Sequence, residues 1–378
     1  MTEQILDPER QTKAKQLARI QRRVMLFELL LGFAYSLAWL YFGWSTALKQ
    51  ALLSVTSNDW LLVLGFGAVF AGIYALVSLP IVYYDGFVLP HRFGLSTQTF
   101  RNWVVDQIKG AALAVVLGST LLEVIYFVLR AAPDTWWLWG GLILLIFNVL
   151  LANLAPIIFM PIFYKFQKLG EEFAELVARL MRLAENAGTQ VRGVYKFDMS
   201  SRTTAANAAL TGLGRTRRII LGDTLLDEFT TDEIETVLAH ELAHHVYKDI
   251  PVGIVIQSLL TMGGLFLASI GLVWGTETLG FDGPWDVAAM PLLVLVLGFY
   301  GLITMPLENA YSRWRERRAD RYALRATNNG EAYASALVRL ANQNLSDVDP
   351  EPWVEFMFYS HPALGKRIEM AENYSAAR

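Results

Sequence analysis

Six stretches of nearly unbroken apolar residues, at about 24–45, 59–83, 109–130, 136–164, 251–275 and 286–307, dominate the hydrophobic pattern. Each is long enough for a helix to cross the hydrocarbon core of a bilayer. A basic, amphipathic stretch of more than twenty residues precedes the first, without a small-residue cleavage site, so that span is expected to be a retained helix and not a signal peptide. Between and after the spans lie two large polar pieces. Residues 165–250 open with an amphipathic pattern at about 167–187, pass through strand-like runs at Val191–Phe197 and Arg217–Leu221, and close with a helix at about 231–248. In that last helix Thr230 and Glu233 have capping-box spacing, and Ile234, Val237, Leu238 and Leu242 form its apolar face. Residues 308–378 read as three or four helices. The pattern therefore predicts a mostly α, polytopic membrane protein in four parts: 1–164, 165–250, a membrane hairpin 251–307, and 308–378. Gly212-Leu213-Gly214 is expected to be a turn between strands, because no Gly-Lys-Ser/Thr follows it to make a phosphate loop.

Composition agrees, with 54% hydrophobic residues and a mean hydropathy of +0.35. Of 32 Lys and Arg, only Lys49 and Arg130 fall in or beside the loops after the first, third and fifth spans. Basic residues stay on the cytoplasmic side of short loops, so both termini and both polar pieces are expected in the cytoplasm of a cell whose inner membrane holds the chain. The net charge of −3 and the lack of a basic patch interleaved with aromatics give no reason to expect nucleic acid. With no cysteine, any metal must be held by His and carboxylate.

The helix at 231–248 carries His240-Glu241-Leu242-Ala243-His244. Positions i and i+4 share a helical face, so both imidazoles can ligate one Zn²⁺ while Glu241 serves a water in the open position as general base. Charged residues at both ends (Asp232, Glu233, Lys248, Asp249) place this helix in water and not in lipid. A third ligand is needed. Asn309, Arg313, Glu316 and Asp320 make one polar stripe at i, i+4, i+7 and i+11, which is either the source of that ligand or a solvated face. His245 lies about 100° around the helix from His244 and is expected to be a bystander, and His91 a structural or interfacial residue.

These residues, with Asp249 and Tyr84-Asp-Gly-Phe-Val-Leu-Pro-His-Arg-Phe-Gly, Ser201-Arg202, Asn207-Ala208-Ala209, Arg218-Ile-Ile-Leu-Gly-Asp-Thr-Leu225, His361-Pro362 and Arg367-Ile368, resemble integral-membrane zinc endopeptidases of the CAAX prenyl protease 1 type. The resemblance implies a membrane bundle around a chamber, with a gluzincin-like cytoplasmic domain containing a small β-sheet. It implies one zinc per chain on His240, His244 and Glu316, and a water activated by Glu241. It further implies that Asp249, Asn309 and Asp320 support the ligands, that His361 and Arg367 stabilise the oxyanion or substrate, and that the Asn207–Ala208 strand pairs with a peptide, lipidated or membrane-associated. Eukaryotic members have seven spans by the usual description, and here the first is missing, which points to a prokaryotic homologue. The family's Asn-Ala-Tyr is Asn207-Ala208-Ala209 here.

The implied activity is zinc-dependent peptide hydrolysis, either narrow prenyl-peptide processing or broader quality-control proteolysis of membrane proteins. From another class, the alternative is a non-catalytic transporter or scaffold with a structural zinc, which would want a fourth protein ligand, from His245 or His361. Polar residues within the spans, Ser119, Thr120, Glu123, Asn148, Asn153 and Gln257, are expected to face the bundle interior or water, the hydroxyls bonding to helices.

Overall fold

The computed structural model describes residues 6–212 and 217–377. Among them six helices are long and apolar enough to cross a membrane: Pro8–Tyr41, Asp59–Arg92, Phe100–Ala131, Trp136–Phe163, Asp249–Leu279 and Val287–Thr327. Their outer surfaces expose large apolar side chains such as Leu30, Leu76, Val115 and Leu259, which water would not tolerate in such density and lipid does. Ser119, Thr120 and Asn153 return their hydrogen bonds to carbonyls of their own helices, at Val116 and Val149.

All six exceed the hydrocarbon core in length, and two carry charged ends far out of it. At 1.5 Å per residue, the continuous α-helix Met290–Thr327 is about 57 Å long against a hydrocarbon core of about 30 Å, so its second half must stand in water. The expected break near residue 307 is therefore absent, and Pro306 sits inside an unbroken helix. The basic stretch and first span are likewise one helix, Pro8–Tyr41, capped by the Asp7 carboxylate on Glu9 and Arg10 N–H groups. A further helix, Trp44–Leu53, follows the first span, and Lys49 on it bonds to Asp282 and Asp286 in the turn between the last two spans.

The polar pieces fold on one another. Strands β1 (Phe166–Lys168), β2 (Val194–Phe197), β3 (Ala208–Thr211) and β4 (Arg218–Gly222) form a sheet in the order β1-β2-β4-β3. β2 and β4 are parallel; the outer strands run antiparallel to their neighbours, so β3 is an edge. β1 takes the first residues of the expected amphipathic helix, which starts instead with a 3-10 turn at Glu171–Phe173 and runs as Ala174–Asn186. Gly212, with φ of +88°, leaves β3 in the left-handed conformation, while Leu213 and Gly214 of the expected turn lie outside the described residues. One apolar core joins Leu176, Leu180 and Leu183, the sheet residues Ile219 and Leu221, Ile234, Leu238 and Leu242 of the motif helix, and Leu337 and Ile368 of the C-terminal helices.

Candidate metal centre

The motif helix runs over Thr231–Val246, with the Thr230–Glu233 capping box formed in both directions. Fully buried alanines at 239 and 243 on this helix, and at 319 and 323 on the long helix, leave room for the two to pack closely. That packing brings His240 Nε2 to 3.1 Å from Glu316 Oε2 and His244 Nε2 to 3.5 Å from Glu316 Oε1. One donor atom from each of the three residues lies within 4.8 Å of the others.

Each imidazole is oriented from behind. His240 Nδ1 meets Asp320 Oδ1 at 2.8 Å, and Asp320, wholly buried, also accepts from Tyr333 OH at 2.5 Å and from Arg367 Nη2 at 2.7 Å and Nε at 3.0 Å. His244 Nδ1 meets Asp249 Oδ2 at 2.9 Å. This contact depends on a sharp break: Lys248 adopts φ of +56°, so the next helix starts at Asp249 and swings that carboxylate back over His244. Arg318 bonds to the other oxygen of Asp249 and stacks between Tyr247 and Trp314, 4.2 and 4.6 Å from their ring centres. With both Nδ1 atoms turned to carboxylates, both Nε2 atoms face Glu316 and are the ones free to ligate a metal.

The electrostatics favour positive charge at the centre. Burial alone would lower the His240 pKa, yet its hydrogen bonds to Asp320 and Glu316 outweigh that and raise it to about 9. A divalent cation can take the place of the proton so attracted. Two imidazoles and a carboxylate, converging and backed by acids, are a donor set that fits such an ion. For Glu241, burial raises the pKa, opposed by the two imidazoles and reinforced by Glu316.

The remaining expected residues gather here too. Arg313, Glu316 and Asp320 are buried, which excludes the solvated-face reading of the stripe. Asn309 Nδ2 donates to Met357 O at 2.7 Å, and Arg313 Nη1 donates to the carbonyls of Glu355 and Tyr359, so this end of the stripe holds the segment that leads into His361. His361 Nε2 stands 3.5 Å from Glu316 Oε2, with most of its side chain exposed. Arg367 is committed to Asp320 and Tyr333 OH behind His240. Asn207 and Ala208 line a cavity of about 570 Å³ together with His240, Glu241, His361 and Arg367. His245 is outside the ligand group. His91 bonds to the carbonyls of Phe87 and Gln98, a structural role as expected. Sequence reasoning missed Tyr333 and Arg318: one is an aromatic on an amphipathic helix, the other one arginine among five between 313 and 321, and neither stands out locally.

A membrane-spanning bundle carrying this centre, on a helix that continues out of the lipid, defines a membrane metalloprotease. The chain belongs to peptidase family M48, whose family description matches residues 171–375, while residues 1–165 match one described as the CAAX prenyl protease N-terminal region with five membrane helices. It is 30% identical to a Bacillus subtilis protein described as the uncharacterized metalloprotease YhfN, over 97% of this chain and 88% of that one. It is also 30% identical to CAAX prenyl protease 1 of Saccharomyces cerevisiae, over 80% of this chain and 70% of that one. Its fold matches the crystal structure of S. mikatae Ste24p with a TM-score of 0.87 at 26% identity, covering 98% of this chain and 90% of that one.

Proposed function

We propose that this membrane metalloprotease uses zinc, one ion per chain, held by His240, His244 and Glu316, and cleaves extended peptide segments on the cytoplasmic face of the cell membrane. The observation that carries the reading is the convergence of three buried or half-buried donor atoms within 4.8 Å, with Glu241 beside the first. Two imidazoles and one carboxylate, leaving a position open for water, are a donor set that suits catalytic zinc. When bound, the zinc supplies Lewis acidity to a water and to the scissile carbonyl. Glu241 takes the water's proton and passes it to the leaving amine, a task suited to a buried carboxyl whose pKa burial raises. His361 reaches over the centre to donate to the developing oxyanion. Asp249 and Asp320 fix the two imidazoles, and Asn309 fixes the segment carrying His361. Arg367 serves as the counter-charge of Asp320 and so acts on substrate only through His240. The Ala208 edge of β3 pairs with the substrate main chain, which makes recognition largely independent of side chains.

The distribution of basic residues supports a cytoplasmic centre. The substrate class is peptide at or near the membrane, because the centre stands only a few helical turns from the lipid on the Met290–Thr327 helix. Lipidated peptides such as those named for the yeast relative are one candidate class, and unlipidated membrane-protein segments the other. The test is cleavage of an unstructured reporter peptide by purified protein in detergent. Activity should vanish with a chelator and return with stoichiometric zinc; cleavage that survives full metal removal refutes the proposal. Matched peptides with and without a prenyl group separate the two substrate classes.

A further inference from the structure

Between the helices Gly330–Gln343 and Leu364–Ala376 stands a short helix, Pro352–Phe358, that belongs to none of the six spans. One side of it packs inward. Val354 and Glu355 are buried, and a Glu355 carboxylate oxygen accepts from Ala363 N at 3.1 Å. The other side is bare. Trp353 is 56% and Phe356 52% exposed, and at i and i+3 the two large rings share one face.

Contacts on two membrane helices fix the height of this segment. Leu307 is the last exposed aliphatic side chain on the long helix. Asn309 Nδ2 holds Met357 O, and Arg313 Nη1 holds Glu355 O at 2.8 Å and Tyr359 O at 2.6 Å. At 1.5 Å per residue these two anchors stand about 3 and 9 Å beyond Leu307. The headgroup layer adds about 5–8 Å to each side of the hydrocarbon core, so the short helix lies at its depth. On the first helix, Arg22 just precedes the apolar stretch. Its guanidinium stands 5.6 Å from the centre of the Trp353 ring and 3.8 Å from the Glu351 carboxylate.

The helical phase puts the segment on the lipid side of the bundle. At about 100° per residue, Arg313 projects about 40° from Phe299 and about 80° from Ile303, both more than half exposed on the outer surface of the span. It lies about 180° from Thr304, which is buried and turned inward. Trp314, also exposed, emerges about 20° from Ile303 at nearly the height of Arg313.

We infer that Pro352–Phe358 is an interfacial anchor whose Trp353 and Phe356 side chains lie at the boundary between headgroups and acyl chains, in the leaflet on the metal centre's side. The part of the chain outside the spans thus grips lipid directly. Trp favours that layer because its ring is apolar and its N–H polar, and Phe356 adds apolar area that water would otherwise face. The exposed face is continuous with the apolar belt of the spans through Trp314 and Leu307, which is what selects lipid over a second protein as its occupant. Within three residues the segment runs into His361, so the anchor ties the metal centre to the membrane surface.

The test uses the absence of cysteine. Single cysteines replace Trp353, Phe356, Leu307 and Glu372 in turn, each labelled with an environment-sensitive fluorophore in full-length protein of wild-type metal content, in phosphatidylcholine nanodiscs. Leu307 reports the lipid belt; Glu372, exposed beside the residue that packs on Gly330 past the far end of the long helix, reports water. Each label is challenged with a lipid carrying a nitroxide high on its acyl chain and, separately, with aqueous iodide. The labels at 353 and 356 should be blue-shifted, quenched by the nitroxide and shielded from iodide, as at Leu307. A ratio of lipid to iodide quenching nearer that of Glu372, at either position, overturns the inference. Phe356→Cys carries the test if Trp353→Cys, which loses its contact with Arg22, does not fold.

Discussion

Replacing Asp320 by Asn changes one charge at the back of the metal centre and leaves shape intact. Asp320 is 0% exposed and collects Arg367, Tyr333 and His240 on its two oxygens. Its neutralisation strands the Arg367 guanidinium, nine-tenths buried, without its closest counter-charge. Breaking a buried pair from one side costs about 3–5 kcal/mol, and the amide oxygen can still accept one donor, so the lower end, about 3 kcal/mol, is expected. For a soluble part of this size that lowers the melting temperature by roughly 6–12 °C. His240 also loses the acceptor that fixes its Nδ1 proton, and zinc affinity should fall by about 10–100-fold. Tyr333→Phe, which deletes the hydroxyl's bonds to Asp320 and from Arg367 but no charge, should cost about 1–3 kcal/mol. The assay is a double-mutant cycle of Asp320→Asn and Arg367→Met, read by thermal unfolding in detergent and by zinc competition against a chromophoric chelator. The double variant should be destabilised far less than the sum of the singles, because the stranded charge is gone. Additivity within about 0.5 kcal/mol, or wild-type zinc affinity in Asp320→Asn, would refute this account of the centre.

Glu316→Ala should lower zinc occupancy several-fold, whereas Glu308→Ala, which loses only a bond from the Thr304 hydroxyl, should not; equal zinc in the two variants would remove Glu316 from the ligand set. Below about pH 9 the metal must displace the proton that His240 holds, its pKa being raised from the usual 6.5. Apparent zinc affinity should therefore fall by up to about tenfold per unit as pH drops below 9, while the metal-free protein gains stability from that proton below pH 6.5 and loses it as pH rises through 9; a pH-independent affinity contradicts the assignment. Single cysteines at exposed Thr278, in the last turn of the fifth span, and at exposed Asp349 should label from opposite sides of intact cells, Asp349 only after permeabilisation, and same-side labelling would break the six-span topology.

Features with a local period were legible in the sequence. Six apolar stretches became six membrane-length helices, and Thr230 with Glu233 marked the start of the motif helix to the residue. The stripe at 309–320 showed that one helix face was polar but not whether it was buried, since burial depends on a helix 76 residues away in the chain, the separation of His240 and Glu316. β1 was hidden because Phe166–Lys168 is three residues long and its partner, β2, lies almost thirty residues on. Tyr333 and Arg318 act through contacts spanning 93 and 69 residues, and no local pattern encodes these. The two long helices were read as shorter pieces because the change from apolar to charged composition marks the membrane surface, while the hydrogen-bonded ladder continues through it.

The central claim is that Glu241 is the base at a zinc centre it does not help to build. The direct measurement is zinc stoichiometry and turnover of Glu241→Gln beside the wild type, on the same preparation in detergent. The account predicts one zinc per chain in both proteins and a loss of peptide cleavage in the variant of about 10²–10⁴-fold. Cleavage at the wild-type rate by a zinc-loaded Glu241→Gln protein would contradict it.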